Sequence, residues 1–232
     1  MQTTLLERPD DLPDFESALN NLGRVPLGLY KAFEHASSKV AEFRDTHSPG
    51  QRLDECLSAC LFRFHSLEFL KTEGIDAEAD DDFSLDNLSF LGISFHYAGY
   101  HVRVLKGPDG ELPGCGTSER KRRFFNQIPA LCLVDGAVVR PTANLIVTWE
   151  FGMNYGLGQL WLVLPAIGGL LPRDVSVYWR GPIPHPAEGS LPGVPPPTVP
   201  PTDDLDDMVK RLDQPTREEI ANDPSKSGTH ER

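Results

Sequence analysis

The chain changes character near Gly181, and this change limits how much of it can form a hydrophobic core. Before Gly181, apolar and aromatic residues recur first with helical and then with strand periodicity. After it, proline dominates residues 182–201, and proline removes backbone donors and favours extended backbone. We therefore predict a folded body at residues 13–181, a disordered N-terminus at residues 1–12, and a disordered, Pro-rich acidic tail at residues 182–232.

Composition narrows the class of protein. The 232 residues are 39% hydrophobic, enough for one sizeable domain plus a tail, or for two small domains. The formal net charge of -12 argues against a surface that binds nucleic acid throughout. The N-terminus lacks the pattern of a signal peptide, and the longest apolar stretch, residues 157–171, is shorter than the roughly 20 residues that span a bilayer. The lack of a signal peptide and of a long apolar stretch predicts a cytoplasmic protein that does not enter a membrane. In that compartment its cysteines are expected to be reduced thiols.

Residues 13–73 have helical periodicity. It predicts helices over residues 13–22 and 26–45 and a third helix that ends before Gly74. Ser48, followed by Pro49, is a candidate N-cap for the third helix. Because the two longer helices are joined by a short connection, we expect a helical hairpin. The side chains predicted to meet in it follow a 4-3 spacing: Leu29, Phe33, Ala36, Val40 and Phe43 in one helix, and Leu53, Leu57, Cys60, Phe64 and Leu67 in the next.

Residues 88–181 alternate with period two and are rich in strands. The pairs Ala98-Gly99 and Asp135-Gly136 predict tight turns, and Pro165 is predicted to end a strand. Hairpin-like spacing predicts a mainly antiparallel sheet. Helices followed by strands give an α+β fold, in which the helical hairpin packs against the sheet.

One face of the predicted sheet carries polar and aromatic side chains that are candidates for binding a small ligand or a peptide. The alternative is the ordinary wet face of an antiparallel sheet. If the strands alternate strictly, this face holds His101, Arg103, Thr148, Glu150, Gln159, Trp161, Tyr178 and Arg180.

The densest positive charge is the basic cluster formed by Arg120, Lys121, Arg122 and Arg123, which precedes two phenylalanines. Cations beside an aromatic ring suit contact with phosphates or single-stranded nucleic acid. The alternative is a solvated helix face whose phenylalanine enters the core.

The tail contains one segment with helical signals, residues 203–213. Asp203 can cap it, and Leu205, Met208, Val209 and Leu212 recur at i, i+3, i+4 and i+7. So short a helix is marginal in water, so it needs a groove, either on its own domain or on a protein partner.

No recognised motif for metal or cofactor binding is present. The histidines show no HExxH spacing, the four cysteines form no CxxC pair, and residues 152–158 lack the lysine of a P-loop. We therefore predict no cofactor, no metal and no catalytic residue.

The strand-rich half resembles proteins of unassigned activity from high-GC actinobacteria and their mobile elements. The resemblance is carried by residues 102–106 (VRVLK), 110–114 (GELPG), Ser118, 125–127 (FNQ) and 144–149 (NLIVTW). It implies neither an activity nor site residues.

The sequence favours a non-enzymatic interaction or regulatory protein that acts through the sheet surface and the tail helix. The second hypothesis is a domain that binds a small ligand or nucleic acid through the polar face and the basic cluster. An enzyme of unfamiliar type is the third.

Overall fold

The structure is a computed structural model that describes residues 4–74, 84–85, 92–128, 132–134, 137–139 and 141–186. The described helices are α1 (Phe15–Leu22), α2 (Val25–His47), α3 (Glu55–Thr72) and α4 (Glu119–Phe125). The described strands are β1 (Thr4–Leu5), β2 (Ser84–Leu85), β3 (Ile93–Tyr97), β4 (Tyr100–Lys106), β5 (Cys132–Val134), β6 (Ala137–Val139), β7 (Ala143–Trp149), β8 (Trp161–Ile167) and β9 (Ser176–Pro182). The fold is α+β, as the sequence predicts.

The main sheet has the strand order β1-β9-β8-β7-β4-β3-β2, and β5 and β6 form a separate antiparallel pair in which Val134 aligns with Ala137. Within the main sheet, the pairings β2–β3, β3–β4, β7–β8 and β8–β9 are antiparallel, which confirms the prediction of a mainly antiparallel sheet. Strands β4 and β7, at the middle of the sheet, are parallel, and so are β1 and β9. Residues 107–128, which follow β4, lie over one face of the sheet and include α4.

Helix α3 begins at a different cap from the one predicted. The Asp54 carboxylate accepts the backbone N–H groups of Cys56 at 2.9 Å and Leu57 at 3.0 Å, so it satisfies two donors of the first turn. Ser48 instead follows the last turn of α2, where its N–H donates to the carbonyl of Arg44.

Helix α3 also buries a different face from the predicted 4-3 row. Ser58, Phe62, Ser66 and Leu70 are buried, whereas Leu57 is 42% exposed and Phe64 is 48% exposed. The Phe62 ring stacks on Trp149 of β7 with centroids 3.7 Å apart. Contact with the sheet, as well as with α2, therefore sets the rotation of α3, and the heptad spacing does not show this.

The second face of the sheet is covered by residues 107–128, which we call the cover segment. Its Leu112, Cys115, Phe124 and Phe125 form a second buried cluster with Ile146, Val163 and Val177 of the sheet and with Val175, which precedes β9. The first and larger core lies on the opposite face, beneath α1, α2 and α3. Both faces of the central strands are therefore buried.

Strand β8 continues through Pro165 to Ile167, although Pro165 is predicted to end it. The register between β8 and β9 shifts on both sides of Pro165. A bulge is the place where a residue without an N–H fits inside a strand, because the local ladder is already interrupted.

The folded body extends past both predicted boundaries. Strand β1 lies within residues 1–12 and pairs with β9, so this part of the predicted disordered N-terminus has regular structure. Beyond residue 181, Ile183 is fully buried and its N–H donates to the Leu160 carbonyl. None of the described helices has the length and apolarity needed to cross a membrane.

Candidate functional site

A cavity of about 860 Å³ opens at the carboxyl ends of β4 and β7, and we call it the end cavity. Lys106 and Trp149 are register partners at these ends, so the loops that follow the two strands leave the sheet side by side. The opposite wall comes from the end of α2, the α2–α3 connection and the start of α3. The lining residues are Arg44, Asp45, Gly50, Gln51, Arg52, Glu55, Ser58, Lys106, Gly107, Pro108, Glu150, Phe151, Gly152, Met153, Asn154 and Tyr155.

Tyr155 joins the two walls of the end cavity. Its hydroxyl accepts the backbone N–H of Leu53 at 2.6 Å, which ties the loop after β7 to the connection before α3. Asn154 and Tyr155 both adopt positive φ, at 54° and 64°. Asn tolerates this region, but for a tyrosine it is strained, and such strain persists only where the surroundings hold it. The wall is therefore fixed by contacts distant in sequence.

Charged side chains of both signs line the end cavity. Arg44 pairs with Asp45 at 2.6 Å, and Lys106 pairs with Glu55 at 2.6 Å. The hydrogen bond from Lys106 is the main cause that lowers the pKa of Glu55 below its usual value. Arg52 and Glu150 also line the cavity, and neither forms a salt bridge within the described part of the chain, although the Arg52 charge contributes to lowering the pKa of Glu55. These two residues therefore offer one charge of each sign to a ligand.

Two aromatic rings complete the cavity wall. The Arg44 guanidinium lies 5.5 Å from the centroid of the Tyr155 ring, and the Lys106 ammonium lies 5.9 Å from that of Phe151. Both distances fall within the range of cation–π attraction. The rings thus help to position the two paired cations at the mouth of the cavity.

The predicted polar face is divided by the structure. His101, Arg103, Thr148, Trp161 and Arg180 do share one face, because Arg103 aligns with Ile146, Val163 and Arg180 across the sheet, and Thr148 aligns with Trp161. That face is the one beneath the cover segment, and Thr148 and His101 are buried in it. It is therefore a polar interior layer and not an open surface.

The other three predicted residues lie elsewhere. Glu150 lines the end cavity. Gln159 donates to the hydroxyl of Tyr30 and to the carbonyl of Ile183, on the helix side of the sheet. Tyr178 packs against the helix-side core, because the bulge near Pro165 interrupts the strict alternation on which the prediction depends.

Beneath the cover segment, the polar residues contact one another and Phe124. His101 stacks on His96 with centroids 4.2 Å apart, and its Nε2 is hydrogen-bonded to the Ser94 hydroxyl at 2.8 Å. The Arg103 guanidinium lies 4.4 Å from the Phe124 ring centroid. Among the described residues, no group of three or more His, Cys, Asp or Glu is placed to hold a metal ion.

The basic cluster lies on α4, and its four cations differ in their surroundings. Lys121 donates to the carbonyl of Gly114 at 2.7 Å, and burial lowers its pKa. Arg122 pairs with Glu119 at 3.4 Å, whereas Arg120 and Arg123 are exposed. Both phenylalanines after the cluster are buried. An aromatic ring is therefore not available beside these cations for stacking on a base.

The predicted tail helix, with Leu205, Met208, Val209 and Leu212, lies outside the described residues.

No family model, curated protein or solved structure matches this chain. The resemblance to actinobacterial proteins thus stays a prediction, and the function has to be argued from the geometry.

Sequence reasoning missed the end cavity, although it singled out Glu150 and the turn at residues 152–158. Two signals were present: Lys106 and Glu150 each stand at or just after the end of a strand, and charged residues such as Arg44, Asp45 and Glu55 flank the α2–α3 connection. These signals become a site only once β4 and β7 are known to be parallel neighbours. That pairing joins residues about forty positions apart, and no local pattern encodes it.

Proposed function

We propose that this protein is a cytoplasmic binding domain for a small polar molecule that carries both a negative and a positive group. The ligand occupies the end cavity. The observation that carries this proposal is the position of the cavity, at the carboxyl ends of two adjacent parallel strands with loops from both strands in its wall. In open sheets with parallel strands, ligands bind at this edge because the loops there converge.

The size of the cavity supports the proposal. Its volume of about 860 Å³ falls within the range of roughly 300–1,000 Å³ of small-molecule sites.

The charges of the end cavity support the proposed class of ligand. Arg52 is available to a carboxylate or phosphate and Glu150 to an amine, while the neighbouring Arg44–Asp45 and Lys106–Glu55 pairs are already neutralised. Free amino acids and short peptides have this combination of groups.

The interaction hypothesis draws less support from the described residues. The sheet surface on which it relied lies beneath the cover segment. Its other element, the tail helix at residues 203–213, lies outside the described residues and stays a prediction. The nucleic-acid hypothesis relies on a basic cluster in which Lys121 and Arg122 already have protein partners.

The experiment is a thermal-shift screen of the full chain against free amino acids and dipeptides, followed by calorimetric titration of the compounds that stabilise it. Ligand binding to the native state raises the melting temperature by mass action. Arg52→Gln and Glu150→Gln should each weaken the binding of a stabilising compound by about tenfold or more, because each removes a charged hydrogen-bonding partner.

Matched controls are Arg173→Gln and Glu73→Gln, which remove exposed charges that do not line the cavity. They should leave the binding constant unchanged. If the two control variants weaken binding as much as the two cavity variants, the effect comes from net charge and the proposal is wrong. It is also wrong if no amino acid or dipeptide stabilises the chain.

A further inference from the structure

Three side chains beneath residues 107–110 each bury a hydrogen-bond donor that has no acceptor among the described residues. These donors are the Thr148 hydroxyl, the indole N–H of Trp161 and one terminal nitrogen, Nη1, of the Arg180 guanidinium. Thr148 is fully buried, whereas Trp161 and Arg180 are partly exposed, so the group reaches solvent at its edge. We call these three side chains the donor cluster.

The sheet register brings the donor cluster together. Thr148 of β7 and Trp161 of β8 are direct partners. Arg180 of β9 is opposite Val163, two residues along β8 from Trp161 and on the same face. Diagonal neighbours of this kind are about 7–8 Å apart at the backbone, a distance that arginine and tryptophan side chains span easily.

Trp161 and Arg180 are neighbours, because both lie against Gly110 of the cover segment. A Cβ atom placed on Gly110 would lie 3.2 Å from Trp161 Cε3 and 3.3 Å from Arg180 Cδ, so one residue of the cover segment rests on both side chains. Gly107, at the start of the same turn, lies beside Thr148, where a Cβ would come 3.9 Å from Cγ2. The donor cluster is therefore one place in the fold, roofed by residues 107–110.

The chemistry of the donor cluster determines which kind of ligand it can bind. Guanidinium and indole groups can only donate, and the threonine hydroxyl can donate as well. A buried donor without an acceptor is costly, and the partly exposed Arg180 adds a positive charge to the group. A partner that satisfies all three groups must accept several hydrogen bonds and carry negative charge.

We propose that the donor cluster binds a small oxyanion, such as inorganic phosphate or sulfate. Arg180 supplies the positive charge, Trp161 donates its indole N–H, and Thr148 donates its hydroxyl. This site is distinct from the end cavity, because none of its three side chains lines that cavity. Planar or tetrahedral oxyanions suit arginine, whose donors match two oxygens at once.

The test is a titration of the full chain with sodium phosphate and, separately, with sodium sulfate, each balanced with sodium chloride to constant ionic strength. Tryptophan fluorescence and the melting temperature are both followed. The expected result is a saturable rise in melting temperature and a saturable fluorescence change, because Trp161 lies in the site. Sodium acetate is included to learn whether a carboxylate also binds.

Three variants assign the response to the donor cluster. Thr148→Val keeps the shape of the side chain and removes its hydroxyl, and Trp161→Phe keeps an aromatic ring and removes the N–H. Arg180→Gln removes the charge. Each should raise the dissociation constant of the oxyanion by about tenfold or more, in line with the loss of a hydrogen bond to a charged group. Arg173→Gln, an exposed arginine outside the site, should leave it unchanged.

Several results would overturn the proposal. One is the absence of a saturable response to phosphate and sulfate in the unmodified chain, which would mean that water alone satisfies the donors. Another is a response that persists in Thr148→Val, which decides the question even if Arg180→Gln does not fold. A response lost in the double variant Arg120→Gln with Arg123→Gln, but kept in Arg180→Gln, would assign oxyanion binding to the basic cluster instead.

Discussion

At the scale of single residues, side chains distant in sequence complete the backbone hydrogen bonds that the strands leave open. Gln127 of the cover segment is the clearest case. Its amide nitrogen donates to the carbonyls of Asn144 at 2.9 Å and Pro165 at 2.8 Å, and its oxygen accepts the N–H of Asn144 at 2.8 Å. Gln127 therefore joins the cover segment to the start of β7 and to the bulge in β8.

We expect Gln127→Leu to lower the free energy of unfolding by about 3 kcal/mol, because it leaves three partly buried backbone groups without partners at roughly 1 kcal/mol or more each. Urea denaturation measures this. Gln51→Leu, an exposed glutamine whose side chain has no hydrogen-bond partner within the described part, serves as the control and should change the free energy little. Equal effects of the two variants would contradict the role given to Gln127.

Tyr155→Phe tests the contact that joins the two walls of the end cavity. Removing the hydroxyl leaves the buried N–H of Leu53 without its acceptor, so we expect a loss of about 1–3 kcal/mol in the free energy of unfolding. Tyr178→Phe is the matched control, since its hydroxyl has no hydrogen-bond partner within the described part of the chain. A Tyr155→Phe variant as stable as the control would show that this hydrogen bond does not hold the wall.

At the scale of elements, the helices and turns could be predicted to the extent that their signals are local. Helix α1 ends at Leu22, where the sequence predicts its end. Val134 of β5 pairs with Ala137 of β6, which is the register that the predicted two-residue turn requires. The rotation of α3 could not be predicted, because its apolar residues surround most of the helix and only the sheet determines which of them are buried. The bulge at Pro165 could not be predicted either, because it depends on the register between β8 and β9.

The rotation of α3 gives a paired prediction. Phe62→Ala should cost about 3–5 kcal/mol, because it empties a fully buried space against Trp149. Phe64→Ala, two residues along the same helix, should cost less than about 1 kcal/mol, because about half of that side chain already faces solvent. Chemical denaturation of both variants measures the difference, and a larger cost for Phe64→Ala would mean that α3 packs through the 4-3 row after all.

At the scale of the whole molecule, the candidate sites follow from a sheet with both faces covered. The cover segment lies over one face, and the helices occupy the other. Five of the eight polar residues could be predicted to share a face, since alternation is local, whereas the other three lie elsewhere. The burial of this shared face and the end cavity could not be predicted, because both depend on which strands are neighbours.

The C-terminal limit of the body provides a further prediction at this scale. Ile183 is fully buried, and its carbonyl accepts hydrogen bonds from Tyr30 at 2.8 Å and from Gln159 at 2.6 Å. A chain that ends at residue 181 loses this side chain and both acceptor contacts, whereas a chain that ends at residue 186 keeps them. His185, which contacts Tyr30 and Glu34, is also kept in the longer chain.

We expect the chain that ends at residue 181 to be less stable than the chain that ends at residue 186 by about 3 kcal/mol or more. Burial of an isoleucine side chain contributes about 1.5–3 kcal/mol, and each hydrogen bond adds about 1 kcal/mol. Urea denaturation of the two truncated chains measures the difference directly. Ile183→Ala in the longer chain separates the contribution of the side chain from that of the backbone carbonyl. Equal midpoints for the two truncated chains would place the end of the body at residue 181, where the composition alone puts it.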